Sequence, residues 1–212
     1  RITLDQVLNA LAPHQSLVGG AVSDIVRREV ESRGMAIHDY LQREELAIAN
    51  SVPTAEGAIQ LAMEELPITI SGARCLITGY GRVGQALARL LVALGANVTV
   101  AARKFSDLAR AQTLGCETLE IQHLENAGDF DVIFNTVPAP VIGEEILACQ
   151  GPDTLLLELA SAPGGICRRA AQARGLRLLD CPSLPGRFSP KASGELVKEA
   201  VYHILEERRK LS

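Results

Sequence analysis

The 212-residue sequence has no tryptophan and only 3% aromatic residues. That leaves little to stack against unpaired bases, on which single-stranded nucleic-acid platforms depend. A basic cluster is also missing: Lys and Arg number 21 against 25 Asp and Glu, for a formal net charge of −4. Surfaces that hold nucleic acid or anionic lipid need the opposite balance. No apolar run reaches the roughly 18 residues of a membrane-spanning helix. The five cysteines, Cys75, Cys116, Cys149, Cys167 and Cys181, contain no Cys-x-x-Cys pair. An odd, scattered set of thiols points to reduced cysteines in a cytosolic protein. His14, His38, His123 and His203 lack ligand spacing, so no metal is expected. The absence of Gly-x-Ser-x-Gly disfavours a nucleophile-elbow hydrolase. The chain opens at Arg1 with neither Met nor a signal peptide, and a missing N-terminal piece is expected.

What the sequence does have is one organised stretch, Arg74-Cys75-Leu76-Ile77-Thr78-Gly79-Tyr80-Gly81-Arg82-Val83-Gly84-Gln85-Ala86-Leu87-Ala88. It reads as a short apolar strand, a glycine-rich turn and the start of a helix, with Gly-x-Gly-x-x-Gly at Gly79, Gly81 and Gly84. In a dinucleotide site Gly79 permits the tight turn, Gly81 lets backbone approach the pyrophosphate, and Gly84 lets helix and strand pack closely. The N–H groups at the positive end of the helix then face the phosphates. Gly79, Tyr80, Gly81, Arg82, Val83 and Gly84 are therefore the expected cofactor loop. Tight turns that bind nothing carry the same motif, but here the context agrees. An amphipathic helix follows to Leu94, Gly95 stops it, and a second strand, Asn97-Val98-Thr99-Val100-Ala101, comes next.

At the end of that second strand an NAD site carries Asp or Glu for the ribose 2′-hydroxyl. This sequence has Ala101 or Ala102 there, followed by Arg103 and Lys104. Arg103 can pair with a 2′-phosphate that a carboxylate would repel, so NADP is the expected cofactor; a solvated basic turn is the alternative. Further strands are read at 117–120, 131–136, 154–159 and 176–180, with helices at 105–114, 143–149 and 166–174. Six strands alternating with helices predict an α/β fold with a doubly wound parallel sheet, a Rossmann fold. Ligands sit at the carboxyl ends of such strands, which nominates Thr136, Val137, Pro138, Ala160 and Ser161 at the cofactor's edge.

Residues 1–52 read as part of a second α/β domain. Thr3 or Asp5 starts a helix, Leu17-Val18 a strand, Ser23 to Arg33 a second helix and Met35 to Tyr40 a second strand. Thr54 is expected to cap a helix to Leu66, with Pro53 just before it, leaving 53–192 as the dinucleotide-binding domain and its connecting helix. Gly57 costs this helix about 1 kcal/mol relative to Ala. That points to a close neighbour, for which another helix would serve. A proline-rich connector spans 181–191, and Ser193 is expected to cap a last helix, 194–209, that joins the N-terminal domain.

Three stretches together resemble the A subunit of dipicolinate synthase. They are Asn50-Ser51-Val52-Pro53-Thr54-Ala55-Glu56-Gly57-Ala58-Ile59, the glycine loop, and the pair Leu159-Ala160-Ser161-Ala162-Pro163-Gly164-Gly165 with Leu184-Pro185-Gly186-Arg187-Phe188-Ser189-Pro190-Lys191. The likeness runs from about residue 35 to the end. Phe188-Ser189 departs from it, since smaller apolar residues are expected there. The resemblance implies a two-domain protein related in fold to 2-hydroxyacid dehydrogenases. It further implies NADP, a separate B subunit, and synthesis of dipicolinate in the cytoplasm of the mother cell of a sporulating bacterium. Self-association stays open.

The reaction so implied oxidises a dihydrodipicolinate-type cyclic dicarboxylate to an aromatic pyridine dicarboxylate. Aromatisation drives it, so a strong base is not demanded. Two substrate carboxylates ask for cations or helix-start N–H groups, and Arg187 and Lys191 are the candidates, with solvated loop charges as the alternative. The segment from Asn50 to Glu56 would sit at the cleft between domains, with Asn50 and Thr54 bonding substrate or nicotinamide. Glu56 would take a proton or simply serve the helix dipole. Two other readings stay open: an NADP dehydrogenase of 2-hydroxyacid or shikimate type, and a non-catalytic nucleotide-binding module. The first lacks a visible catalytic His with a carboxylate partner after the fifth strand.

Overall fold

The computed structural model describes residues 2–12 and 15–211, so His14 lies outside the described residues. The chain divides into two compact units, Arg1–Ala49 with Lys191–Ser212, and Asn50–Pro190. In the first unit Thr3 caps helix α1 (Leu4–Ala10). Its hydroxyl accepts the Gln6 N–H, and the Gln6 side-chain oxygen accepts the Thr3 N–H at 3.0 Å. Strand β1 (Ser16–Gly19) leads through α2 (Asp24–Ser32), capped by Ser23, to β2 (Ala36–Asp39), which pairs with β1 in parallel. Leu8, Val30 and Met35 are buried together beneath them.

Helix α3 (Glu44–Glu65) runs without a break through Pro53, which corrects the expected start at Thr54. Proline inside a helix removes one backbone bond and costs about 3 kcal/mol. Beyond it, Ala55, Ala58, Ile59, Leu61 and Ala62 are all buried, and their packing holds the helix together. The Thr54 hydroxyl turns back to donate to the Asn50 carbonyl at 2.7 Å, as Thr does within helices rather than at their starts.

Six strands follow: β3 (Arg74–Thr78), β4 (Asn97–Ala102), β5 (Glu117–Glu120), β6 (Val132–Asn135), β7 (Leu155–Glu158) and β8 (Arg177–Asp180). They form one parallel sheet in the order β5-β4-β3-β6-β7-β8, whose direction of growth reverses between β3 and β6. The intervening helices are α4 (Arg82–Ala93), α5 (Phe105–Thr113), α6 (Glu144–Ala148) and α7 (Arg168–Ala173). The central strands are buried on both faces, and their apolar runs show why. Ile77, Phe134 and Leu157 enter one core cluster, while Leu76, Ile133 and Leu156 enter the other.

The proline-rich connector is not irregular: it contains helix α8 (Leu184–Phe188). A Cβ added at Gly57 would meet Phe188 Cδ2 at 3.0 Å and Leu184 Cβ at 3.2 Å. The close neighbour expected at Gly57 is therefore α8, and the large Phe188 is accommodated by the missing side chain opposite. The last helix, α9 (Pro190–Leu211), starts at Pro190, so Ser193 lies inside it and is not its cap. Proline is suited to a first helical position, where its missing N–H costs nothing.

Within the first unit Arg43 holds Glu207 of α9 through two bonds, at 2.7 and 2.9 Å. His38 borders a cavity of about 240 Å³ with Arg27, Asp39, Arg43, Glu207 and Arg208. Burial, then repulsion by Arg208, Arg27 and Arg43, lowers its pKa, and only Glu207 opposes this. A lowered pKa means that the unfolded chain takes the proton first. The stability His38 contributes is present above its unfolded value of 6.5 and is lost as pH falls. Thermal melting from pH 7.5 to 5 should therefore cost the native protein more than His38→Gln; equal losses would remove His38 from the acid response.

Candidate functional site

Strand β3 ends at Thr78, and the chain must turn sharply to begin α4. Gly79 makes the turn at φ +88°, and an added Cβ would meet Thr136 Oγ1 at 2.6 Å and Val137 Cγ2 at 2.9 Å. The Gly79 N–H donates to the Ala101 carbonyl at 2.8 Å. A Cβ at Gly84 would collide with the Gly79 carbonyl oxygen, so the first turn of α4 lies directly on the loop. Gly81 differs from both. It is the N-cap of α4, makes no side-chain cap bond, and has nothing within 4 Å of an added Cβ. The start of a 12-residue helix is thus left without a capping side chain, at the end where its dipole is positive. That is the arrangement which receives a phosphate. The Tyr80 ring is 6% exposed and packs in the core, leaving only its backbone at the loop. Arg82 is exposed and Val83 half-buried.

At the end of β4, Ala101 and Ala102 are buried, and no carboxylate stands on that strand end. Arg103 and Lys104 are exposed, and Lys104 is the N-cap of α5 without a side-chain cap bond. The register pairs Ala102 with Glu120 on β5, whose carboxylate accepts Gln122 Nε2 at 3.1 Å.

Across the sheet the register aligns Thr78, Asn135 and Glu158 at the ends of β3, β6 and β7. All three are buried. Thr78 Oγ1 donates to Asn135 Oδ1 at 2.5 Å, and Asn135 Nδ2 donates to Glu158 Oε1 at 2.6 Å. Glu158 also accepts the N–H groups of Ala160 at 3.2 Å, Gly165 at 2.8 Å and Ile166 at 3.1 Å. The sequence-based expectations named none of these three as site residues. Their signal was present, because each is a polar residue that ends an apolar run of at least three residues just before a loop.

A cavity of about 620 Å³ opens at the ends of β7 and β8. It brings together Thr54, Val83, Ala160 and Ser161 of the expected residues, with Glu158, Arg168 and the segment Cys181–Pro185. Burial pushes the Cys181 thiol up to about 11, which makes it an inert wall rather than a nucleophile. Arg168 is held by Asp180 through two bonds. Thr136 and Val137 are half-buried beside Gly79, Thr136 Oγ1 donating to the Thr78 carbonyl at 2.7 Å, and Pro138 is exposed. The other expected substrate residues do not join the cavity lining. Glu56 is exposed in the middle of α3, so the helix-start role is corrected. The Arg187 guanidinium lies 5.2 Å from the Phe188 ring centroid. Asn50 Oδ1 is buried without a hydrogen-bond partner, and Lys191 belongs to the other unit. A larger cavity of about 760 Å³, lined by Ile121, Leu124, Ile142, Ile146, Ile166 and others, includes none of the expected residues. Among the described residues no cluster of three or more His, Cys, Asp or Glu could hold a metal, and no helix is long and apolar enough to cross a membrane.

Residues 35–159 match the family described as D-isomer specific 2-hydroxyacid dehydrogenase, NAD binding domain. The A subunit of dipicolinate synthase of Bacillus subtilis (strain 168) is 38% identical over 167 residues, 78% of this chain and 56% of that protein. The crystal structure of the dipicolinate synthase A subunit from Bacillus halodurans superposes with a TM-score of 0.89 at 34% identity, covering 96% of this chain and 70% of that one. The chain belongs to the dipicolinate synthase A-subunit family. The A chain of dipicolinate synthase from Bacillus subtilis agrees, with a TM-score of 0.90 and 32% identity over 100% of this chain and 71% of that one. This member of the dipicolinate synthase A family spans 56% of the length of its curated relative. Its six-stranded unit is a nicotinamide-dinucleotide-binding domain of the 2-hydroxyacid dehydrogenase type.

Gly81 and Gly84 separate in a binding and stability test. Gly81→Val should leave the melting temperature within a few degrees of native and abolish cofactor binding. Gly84→Ala should lower the melting temperature as well, by the several degrees that a cost of about 1–3 kcal/mol produces. If Gly81→Val still binds NADP normally, the phosphate role of the loop is lost.

Proposed function

We propose that this chain is the cofactor-binding portion of an NADP-dependent oxidoreductase, the A component of a dipicolinate synthase. It would oxidise a dihydrodipicolinate-type cyclic dicarboxylate to dipicolinate during sporulation and work with a separate B subunit. The observation that carries the reading is the uncapped start of α4 at Gly81, with the exposed Arg103 just past the end of the neighbouring strand. The residues present fit such a cofactor: open space before Gly81 admits a pyrophosphate, and backbone N–H groups of α4 would face it. Arg103 would pair with the 2′-phosphate, since β4 itself ends in two buried alanines. When bound, the nicotinamide supplies the hydride acceptor.

The cavity lining supports a reaction without a strong base. It contains no histidine. Its two carboxylates are already engaged, Glu158 by four donors and Asp180 by Arg168. A 2-hydroxy acid oxidation needs a group to take the hydroxyl proton. An aromatising oxidation loses its proton with a large driving force and can release it to water. Thr54 and Ser161 line the same cavity and would orient the substrate through their polar groups.

Titration with NADP and NAD tests the cofactor choice. Arg103→Ala should weaken NADP by about 10- to 100-fold, the range of one charge-assisted bond, and NAD by less than about threefold. Equal losses would refute the 2′-phosphate role. Ultraviolet absorbance of dipicolinate, formed with NADP and the B subunit, tests the reaction.

A further inference from the structure

Asn135 and Glu158 are 0% and 5% exposed, in a sheet buried on both faces. An amide and a carboxylate are costly there unless their hydrogen bonds are made. They are made, and mostly with two loops. Asn135 Oδ1 accepts the Thr78 hydroxyl and the Val137 N–H at 3.2 Å, while Nδ2 donates to Glu158 and to the Val137 carbonyl at 3.0 Å. Those partners fix which way the amide faces. Glu158 Oε1 accepts Asn135 Nδ2 and the Ala160 N–H, and Oε2 accepts the Gly165 and Ile166 N–H groups. All four lone-pair sites of the carboxylate are used. The loops also touch each other. A Cβ at Gly165 would meet Asn135 Nδ2 at 2.6 Å and the Val137 and Ala139 carbonyl oxygens at 2.7 Å.

The sheet order gives the two halves of a dinucleotide different neighbours. Arg103 follows β4 on one side of β3, and β6 and β7 lie on the other. A pyrophosphate at Gly81 with its 2′-phosphate toward Arg103 sends the nicotinamide half toward the ends of β6 and β7. Those ends carry the two loops that Asn135 and Glu158 hold. We infer that Asn135 and Glu158 are positioning residues for the nicotinamide half, and that Glu158 does not take a proton in the reaction. The inference rests on the dinucleotide reading above. To accept a proton from substrate, Glu158 would have to give up one of its four donors, three of which are loop N–H groups.

Glu158→Gln keeps the volume but sets an NH₂ group against N–H donors. It should weaken NADPH at least about tenfold while changing 2′,5′-ADP, which has the 2′-phosphate but no nicotinamide, by less than about twofold. Thr78→Val, which removes the hydroxyl that orients Asn135, should split the two probes in the same direction with a smaller loss, and carries the test if Glu158→Gln does not fold. Equal losses for both probes would reduce the network to general stability, and no loss for either would remove the positioning role. A native protein that binds neither probe would overturn the dinucleotide reading itself. A native protein that binds both, with variants that do not separate them, would overturn this inference alone.

Discussion

The first turn of α4 lies so close to the end of β3 that position 84 has room for a hydrogen and nothing larger, because the Gly79 carbonyl occupies the place of a side chain. From that contact the geometry of the carboxyl edge follows. Gly81 is left as the N-cap of the helix, with no side chain to cap its first N–H groups. Gly79 must take positive φ, and the space its side chain would fill is taken by Thr136 and Val137 from the loop after β6. Val137 is in turn bonded to Asn135 and lies against Gly165. Close approach of backbone or side chain at each of these glycines leaves this edge little freedom to rearrange. A preorganised anion site needs that rigidity, since donors that need not move lose little entropy on binding.

Charge at this edge is divided between buried and exposed groups. Glu158 is buried, and fixed N–H dipoles and one amide compensate it fully. Arg103 is in solvent at the end of β4. A buried carboxylate with every oxygen engaged is an architectural element, because moving it leaves unpaired donors behind. An exposed guanidinium costs little to hold ready, which suits the 2′-phosphate contact proposed for it.

The same spacing logic reaches α3 and α8. Gly57 lacks a side chain where Phe188 and Leu184 approach. The large ring fits opposite the glycine, and the two helices pack closely there. Leu184, at that contact, also belongs to the segment Cys181–Pro185 that lines the cavity.

Much of this was legible in the chain itself. Gly79, Gly81 and Gly84 announce the loop, since few other arrangements need glycines at that spacing before a helix. Continuous apolar runs such as Leu155-Leu156-Leu157 announce strands buried on both faces. Local signals failed where two were in competition. Thr54 after Pro53 looks like a helix start, yet the burial of Ala55, Ala58 and Ile59 carries α3 straight through. Ser193 looks like a cap, yet Pro190 begins α9 three residues earlier. Asn135 and Glu158 stood in view as polar strand ends, but their partners lie 23 positions apart in the chain. Sequence by itself determined the six strands of the large sheet, the glycine turn and the cation just past the end of β4, because each depends on neighbours a few residues away. Only the tertiary structure decided that Thr78, Asn135 and Glu158 meet in one row, and that Glu56 and Arg187 lie outside the cavity, because strand register and helix direction arise from contacts between distant segments.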